Sequence, residues 1–313
     1  MKWFKFFVFL IIPCFALSAH GGHYKKKFSA IVIDADTQEV LFDHSADHIG
    51  NPASLTKIFT LKMIFDALNA GKLHLQTLIK ISKYAASQKP TKMYIRPGHS
   101  ISVLDAILAL VTHSANDVTV AIAEFLSGSE ANFAKKMTEE AHALGLKNTY
   151  FKNATGLPNN EQRTTPREMA KLTAHLIQNY GPYLQYFSTT SFYFKGKNYR
   201  NHNKLLGEVD GVDCCKTGFT NNAGWNLAAS AKRGDKRIIA VIMGGPSRQY
   251  RDQKMTKLIN ATFKKLHLNA SPQAGTPQDD DIGSLVAELA RDSEMSSKAS
   301  IQTSKRKKKK RAV

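Results

Sequence analysis

The order of apolar segments along this chain restricts its possible folds more than any other feature of the sequence. Residues 28–33 and 39–42 are strand-like and are separated by the turn residues 34–37. Apolar residues at helical spacing fill the middle of the chain, and strand-like segments return at 224–231 and 237–243. This order predicts an α+β fold, in which strands from both ends form one antiparallel sheet and a helical region is inserted between them.

The helical region divides into several amphipathic or apolar segments. Ser102 with Asp105 is typical of a capping box, and Pro166 is typical of a first helical turn. We predict helices over residues 55–68, 103–111, 116–126, 167–178 and about 252–266. A further strand is predicted at 212–215, so the late part of the chain supplies several strands to the sheet.

The N-terminal residues have the pattern of an export signal. A short basic start precedes an apolar run from Phe6 to Leu17, and small residues precede a cleavage point after Ser18. We therefore predict that residues 1–18 are a signal peptide, and that the protein acts in the periplasm or on the cell-wall side of the membrane. The formal net charge of +19 favours anionic surroundings, but export argues against nucleic acid as the partner.

The composition changes after residue 268. Residues 271–281 are rich in proline, glycine and aspartate, and 305–311 is an unbroken basic run. We predict a folded domain over residues 19–268 and a disordered polar tail over 269–313. The basic run is a candidate for weak contact with an anionic membrane or wall polymer through charge alone, and a solubilising tail explains it equally well.

Cysteine places few constraints on this chain. Cys14 falls in the predicted signal peptide, which leaves Cys214 and Cys215 side by side in a strand-like segment. Adjacent cysteines bridge only with strain, because their Cα atoms lie closer than the usual disulfide range. We therefore interpret both as small apolar strand residues, and we predict neither a disulfide framework nor a metal site.

A Ser-x-x-Lys motif, with its serine at Ser54 and its lysine at Lys57, opens the first predicted helix. Positions i and i+3 share a helical face, so the hydroxyl and the amine can meet as nucleophile and base. Burial and nearby cations lower the pKa of a lysine to the range that a base needs. The spacing alone is weak evidence, because it recurs at Ser304 and Lys307 inside the basic tail.

Two further motifs follow in the sequence. Ser114 and Asn116 form a Ser-x-Asn motif in a turn between apolar helices, from which side chains can project into a cleft. Lys216, Thr217 and Gly218 form a Lys-Thr-Gly motif, which offers a cation and a hydroxyl to an anionic group. The glycine lets a substrate backbone approach. The Ser-x-Asn motif alone also fits an ordinary polar loop, and a lone Lys-Thr-Gly also fits a chance match. The three motifs together in this order indicate a serine acyl-transfer site.

Ser-x-x-Lys, Ser-Asp-Asn and Lys-Thr-Gly in this order are the signature of class A β-lactamases and penicillin-binding proteins, and the three motifs of this chain resemble it. Residues 51–53, 151–170, 201–206 and 211–245 further resemble the low-molecular-mass penicillin-binding proteins, the serine D-Ala-D-Ala carboxypeptidases of peptidase family S11. The similarity extends over roughly residues 28–268. It implies a β-lactamase/transpeptidase-like catalytic domain that removes the terminal D-alanine from peptidoglycan stem pentapeptides, without a metal or organic cofactor. It also implies that β-lactam antibiotics inhibit the protein.

The resemblance implies a role for each motif residue. Ser54 is the expected acylated nucleophile, Lys57 its general base, and Ser114 the proton relay to the leaving D-alanine. The expected substrate-binding residues are Asn116, Lys216, Thr217, Gly218, Phe219 and Arg251. Within that set, Asn116 is expected to hold the peptide carbonyl, and Lys216 to set the local electrostatics. Thr217 and Arg251 are expected to bind the terminal carboxylate, although a surface cation also explains Arg251. The N–H groups of Ser54 and Phe219 are the expected oxyanion hole.

The chain departs from the family pattern in two ways. Many members add a small β-rich domain and an amphipathic membrane anchor, whereas about 45 polar residues follow the folded domain here. We therefore do not expect membrane tethering of the usual kind. The pair Cys214 and Cys215 stands where glycine or an aliphatic residue is common, and we expect a local packing effect only.

Two alternative hypotheses stay open. A class A-like serine β-lactamase needs a glutamate that activates the deacylating water. Glu161 and Glu168 lie in the corresponding part of the chain, but Glu168 fits the first turn of a helix and no Glu-x-x-Leu-Asn pattern is present. The second alternative is a non-catalytic cell-wall-binding protein that acts through its basic charge.

Overall fold

The computed structural model describes residues 27–270, and it describes side chains up to residue 266. The predicted signal peptide, Cys14 and the basic run at 305–311 therefore lie outside the described residues. The strands are β1 (Ser29–Asp34), β2 (Val40–His44), β3 (Leu78–Lys80), β4 (Ser100–Ser102), β5 (Ser191–Phe194), β6 (Lys197–Arg200), β7 (Val212–Thr220), β8 (Gly224–Arg233) and β9 (Lys236–Gly245). The α-helices are α1 (Thr56–Asn69), α2 (Lys83–Ser87), α3 (Val103–Leu108), α4 (Asn116–Ser127), α5 (Glu130–Ala143), α6 (Pro166–Asn179) and α7 (Arg248–Ala270).

The main sheet joins the two ends of the described chain. Its five strands follow the order β2-β1-β9-β8-β7, and every neighbouring pair is antiparallel. Ala30 of β1 pairs with Ile242 of β9, which brings strands from the beginning and the end of the fold together. The predicted α+β class with an inserted helical region is therefore confirmed. Strand β7 lies at one edge of this sheet, so one of its sides is free of a strand partner.

Helices cover both faces of the main sheet. Side chains alternate along β1: Ile31 and Ile33 belong to the large core that the helical region covers, whereas Ala30 and Val32 face the smaller core under α7. Helix α6 contacts β1 and β9 on the first face, and α7 contacts β8 and β9 on the second. Because both faces are covered, all of β1 is buried, and the sheet forms a rigid support for its edge strand β7.

The predicted long helices are present in the structure, with one informative difference. Ser102 caps α3 as expected: its hydroxyl accepts from the Asp105 N–H at 3.1 Å and donates to the Asp105 carboxylate at 2.7 Å. The predicted continuous helix over 103–111 instead ends at Leu108 and continues as a π-helical turn, Ala109–His113. Ser114 follows this turn with a left-handed φ of 60°. The wider turn therefore delivers the Ser-x-Asn motif to the site.

Several elements were not predicted from the sequence. Helix α5 was missed although Ser129 caps it and Phe133, Met137 and Ala141 bury one face. The short pairs β3–β4 and β5–β6 were missed because they are only three or four residues long and partly exposed. Within residues 27–270, no helix is both long enough and apolar enough to cross a membrane.

Candidate active site

A cavity of about 530 Å³ opens beside the edge strand β7. The predicted residues that line it are Ser54, Ser114, Asn116, Thr217, Gly218, Phe219 and Arg251. Lys57 and Lys216 do not line it but lie buried behind its wall. The structure therefore brings all of the predicted site residues together, although they span almost two hundred positions of the sequence.

Ser54 lies in a short 3-10 turn, Ala53–Leu55, which leads directly into α1. The residue before it, Ala53, has a left-handed φ of 49°, which a non-glycine residue seldom adopts. Asn226 of β8 fixes the chain just before this turn, because its side-chain amide donates to the carbonyls of Asn51 at 3.0 Å and Pro52 at 3.1 Å. The serine is thus held by the main sheet as well as by its own helix.

Lys57 is fully buried one helical turn after the serine. Its Nζ lies 3.3 Å from Ser54 Oγ, 2.7 Å from Asn116 Oδ1 and 2.6 Å from the Thr155 carbonyl. Burial, and next the charge of Lys216, hold the pKa of Lys57 well below its ordinary value. The neutral amine that a general base requires is therefore favoured.

The Ser-x-Asn motif is supported by the loop between α2 and β4. The Asn116 N–H donates to the Thr91 carbonyl at 2.8 Å, and the Asn116 amide nitrogen donates to the Lys89 carbonyl at 2.8 Å. The Thr91 hydroxyl in turn donates to the Ser114 carbonyl at 3.1 Å. Ser114 Oγ is buried and has no hydrogen-bond partner among the described residues, so it is available to a group that enters the cavity.

Lys216 lies on β7 and is only 1% exposed. Its ammonium donates to the Thr217 carbonyl at 2.9 Å. Burial, and then the charge of Arg251, lower the pKa of Lys216 to about 7. Two lysines with lowered pKa values therefore lie behind the same cavity, and the charge of Lys216 disfavours the charged form of Lys57.

Two glycines allow the chain to pack tightly around the nucleophile. A Cβ at Gly218 would lie 3.0 Å from the Pro52 carbonyl and 3.1 Å from the Ser54 nitrogen. We expected Gly218 to admit a substrate backbone, but in this structure its nearest neighbours belong to the segment before the serine. A Cβ at Gly156 would lie 1.8 Å from the Ala53 carbonyl oxygen, so that contact requires a glycine even more strictly.

Arg251 and Phe219 occupy different environments at the mouth of the cavity. The Arg251 side chain is 2% exposed, and its Nε donates to Asp252 Oδ1 at 2.8 Å. It is therefore not a free surface cation, and its carboxylate-binding role remains a prediction. The Phe219 side chain is 45% exposed and stacks on Trp225 with ring centroids 4.1 Å apart.

Cys214 and Cys215 are both buried in β7, as the sequence predicts for small apolar strand residues. The structure places their sulfur atoms next to each other within that strand.

Neither candidate glutamate of the β-lactamase hypothesis lines the described cavity. The Glu168 carboxylate accepts from the Asn148 N–H at 2.9 Å and from the Thr149 hydroxyl at 2.5 Å, so it fixes the loop before α6. Glu161 forms an ion pair with Lys152 at the surface. Among residues 27–270, no group of three or more histidine, cysteine, aspartate or glutamate side chains is placed to hold a metal ion.

The sequence analysis did not identify several residues that shape this site. Asn226, Gly156 and Trp225 lie in stretches that resemble the family, but no motif marks them individually. Thr155 contributes only a backbone carbonyl, which no sequence pattern reports. Proximity to the motif residues in space was needed to find them.

Solved structures that share this architecture include penicillin-binding proteins. Penicillin binding protein 5 from Haemophilus influenzae matches with a TM-score of 0.73 and 32% identity, over 77% of this chain and 71% of that chain. Ampicillin-bound Penicillin-Binding Protein D2 from Listeria monocytogenes matches with a TM-score of 0.67 and 29% identity, over 77% of this chain and 98% of that one. The fold and the Ser-Lys arrangement therefore define a protein of the penicillin-binding class.

The family follows from the sequence matches. The family model for D-alanyl-D-alanine carboxypeptidase, Peptidase_S11, matches residues 23–247, so the chain belongs to peptidase family S11. It is 36% identical to D-alanyl-D-alanine carboxypeptidase DacF of Bacillus subtilis over 242 residues, which are 76% of this chain and 62% of that protein. It is 36% identical to DacA of Escherichia coli over 243 residues, which are 75% of this chain and 60% of the relative. The chain thus matches less than two thirds of the length of these relatives.

Proposed function

We propose that this protein is a serine-type D-alanyl-D-alanine carboxypeptidase that removes the terminal D-alanine from peptidoglycan stem pentapeptides. The observation that carries the proposal is the set of contacts around Lys57. A neutral amine has two N–H groups and one lone pair. Asn116 Oδ1 and the Thr155 carbonyl, at 2.7 and 2.6 Å, accept the two N–H groups. The lone pair then faces Ser54 Oγ at 3.3 Å, ready to take its proton.

Acylation begins when Ser54 Oγ attacks the carbonyl carbon between the two D-alanines. The hydroxyl proton passes to Lys57, and the resulting oxyanion is stabilised by the N–H groups of Ser54 and Phe219. Thr217 and Arg251 bind the terminal carboxylate of the peptide. Because β7 is an edge strand, the substrate backbone extends the sheet alongside it.

The C–N bond then breaks, and the leaving nitrogen receives a proton through Ser114. This step releases D-alanine and leaves an ester on Ser54. Water attacks the ester carbonyl and gives a proton to Lys57, and the serine oxygen leaves with a proton restored to it. The unpartnered Ser114 hydroxyl and the buried, cationic surroundings of Lys57 support these roles.

The test is release of D-alanine from diacetyl-L-Lys-D-Ala-D-Ala, measured by mass spectrometry. We expect release by the parent protein and none above background from Ser54→Ala. The second Ser-x-x-Lys of the chain offers a matched control, because Ser304→Ala makes the same substitution in the same motif within the basic tail. Equal release by parent and Ser54→Ala would refute the proposal and favour a non-catalytic wall-binding protein.

Labelled penicillin separates the carboxypeptidase from a β-lactamase. We expect a long-lived covalent adduct on Ser54, located by peptide mapping, because no glutamate lines the described cavity to activate water. Turnover of the antibiotic within seconds would instead indicate a β-lactamase.

The terminal segments add a location to the proposed activity. Export through residues 1–18 places the enzyme in the periplasm or at the cell-wall side of the membrane, where its substrate lies. The basic run at 305–311 supplies weak contact with anionic lipid or wall polymer. Cosedimentation with anionic vesicles tests this contact, and unchanged binding after deletion of 269–313 would refute it.

A further inference from the structure

The charged side chains around the mouth of the cavity are all cationic. Arg200, Lys204, Arg248 and Arg251 line it, and no aspartate or glutamate does so among the described residues. Arg251 is paired with Asp252. Over residues 27–270, the other three cations form no ion pair, and all three are exposed. The mouth therefore carries more positive charge than one terminal carboxylate neutralises.

The side chain of Arg248 is held in place by an aromatic contact. Its guanidinium carbon lies 5.4 Å from the centre of the Trp225 ring, and that of Arg251 lies 5.9 Å from the same ring. Phe219 also stacks on Trp225, with ring centroids 4.1 Å apart, and helps to hold the indole in place. Arg248 is also the first residue of α7, whose positive dipole end favours an anion at this place.

Lys204 and Arg248 come from two different parts of the chain, and the charges of both act on the same cavity residue, His202. Burial comes first, and then the charges of Lys216, His113, Arg248 and Lys204 lower the pKa of the cavity residue His202 to about 3. His202 is therefore neutral at working pH and adds no charge of its own. It lies near both Lys204, from the loop after β6, and Arg248, from the start of α7.

We propose that Lys204, Arg248 and Arg200 form a second carboxylate subsite, which selects peptides that carry a free side-chain carboxylate besides their C-terminal one. The guanidinium of Arg248 binds this carboxylate through a bidentate pair of hydrogen bonds, while Lys204 and Arg200 contribute electrostatic attraction without fixed geometry. The inference rests on the proposed function for the bond that is cleaved, but the binding preference itself can be measured without cleavage.

The experiment measures binding to the Ser54→Ala protein by calorimetry. Two otherwise identical peptides ending in D-Ala-D-Ala carry either glutamate or glutamine upstream of the scissile bond. We expect the glutamate peptide to bind about tenfold tighter at low salt, with the preference shrinking as salt is raised. Adding Lys204→Ala and Arg248→Ala should bring the two Kd values within about twofold. Adding Lys136→Ala, an equally exposed lysine of α5, should leave the preference intact.

The outcomes separate this inference from the proposed function. Equal affinity for the two peptides, or a preference that survives loss of Lys204 and Arg248, overturns the second subsite. D-alanine release by the protein with Ser54 intact is measured in parallel. If no D-alanine is released but the glutamate peptide still binds more tightly, the proposed carboxypeptidase activity is refuted and the second carboxylate subsite is not. Thermal unfolding confirms that the substituted proteins are folded at the assay temperature.

Discussion

Gly156 gives the sharpest test of how the nucleophile is held. A methyl group at this position would lie 1.8 Å from the Ala53 carbonyl oxygen, 2.3 Å from its carbon and 2.9 Å from the Ser54 nitrogen. All three neighbours are backbone atoms of the turn that carries the serine. The clash cannot be relieved by rotating a side chain, so Gly156→Ala must push the two chain segments apart.

The size of the effect follows from these distances. Contacts below 3.0 Å are essentially never seen for real Cβ atoms, so the segments must separate by about 1 Å. The same movement shifts the Thr155 carbonyl, which holds Lys57 at 2.6 Å. Misplacement of reacting groups by about 1 Å costs roughly 100-fold in rate. Overpacking and the left-handed φ of 83° together cost about 2–5 kcal/mol of unfolding free energy.

A matched control separates backbone strain from the clash. Gly98 has a similar φ of 87°, but a Cβ there would meet nothing within 4 Å. Gly98→Ala should therefore lose only about 1–2 kcal/mol and keep the parent acylation rate. The assays are stopped-flow acylation by a fluorescent penicillin and urea unfolding. If Gly156→Ala acylates as fast as Gly98→Ala, the packing of Gly156 does not position the serine, and the reasoning is wrong.

Three further predictions follow from buried contacts. Asn226→Ala leaves the Gly244 N–H and two carbonyls before Ser54 without partners, so urea unfolding should show a loss of about 2–4 kcal/mol in the free energy of unfolding. The exposed Asn222→Ala should change this free energy little. An equal effect of both substitutions would contradict the prediction. Glu168→Gln weakens the hydrogen bonds to Asn148 and Thr149 in the loop before α6, and it should lower stability without altering the lifetime of the penicillin adduct. A markedly longer lifetime would instead show that Glu168 takes part in deacylation. The pKa of Lys216 is about 7 in the folded protein, whereas an ordinary lysine has a pKa of 10.5. Between these pH values the lysine carries its proton in the unfolded chain but not in the folded protein. The free energy of unfolding should therefore rise from pH 7 to 10. In Lys216→Met this rise should be smaller by a few kcal/mol, and an unchanged pH profile would show that the lysine is not desolvated.

The sequence alone determined the order of the main elements and the chemistry of the motifs. Hydrophobic period and capping residues report the local backbone, so the hairpin of β8 and β9, the cap at Ser102 and the helix after Pro166 were predictable. The spacing of Ser54 and Lys57 also placed nucleophile and base on one helical turn, and the structure has their side chains in contact.

Only the tertiary structure decided what surrounds those motifs. The contacts of Asn226 with Pro52 and of Lys57 with Thr155 join residues that are 174 and 98 positions apart. Such contacts are set by which strands become neighbours in the sheet, and local periodicity carries no information about that choice. The π-helical turn and the ion pair of Arg251 with Asp252 are local features, but hydrophobic periodicity does not report them either. The sequence identifies the reacting groups. Their distances, burial and pKa values are set by the residues that the tertiary structure places around them.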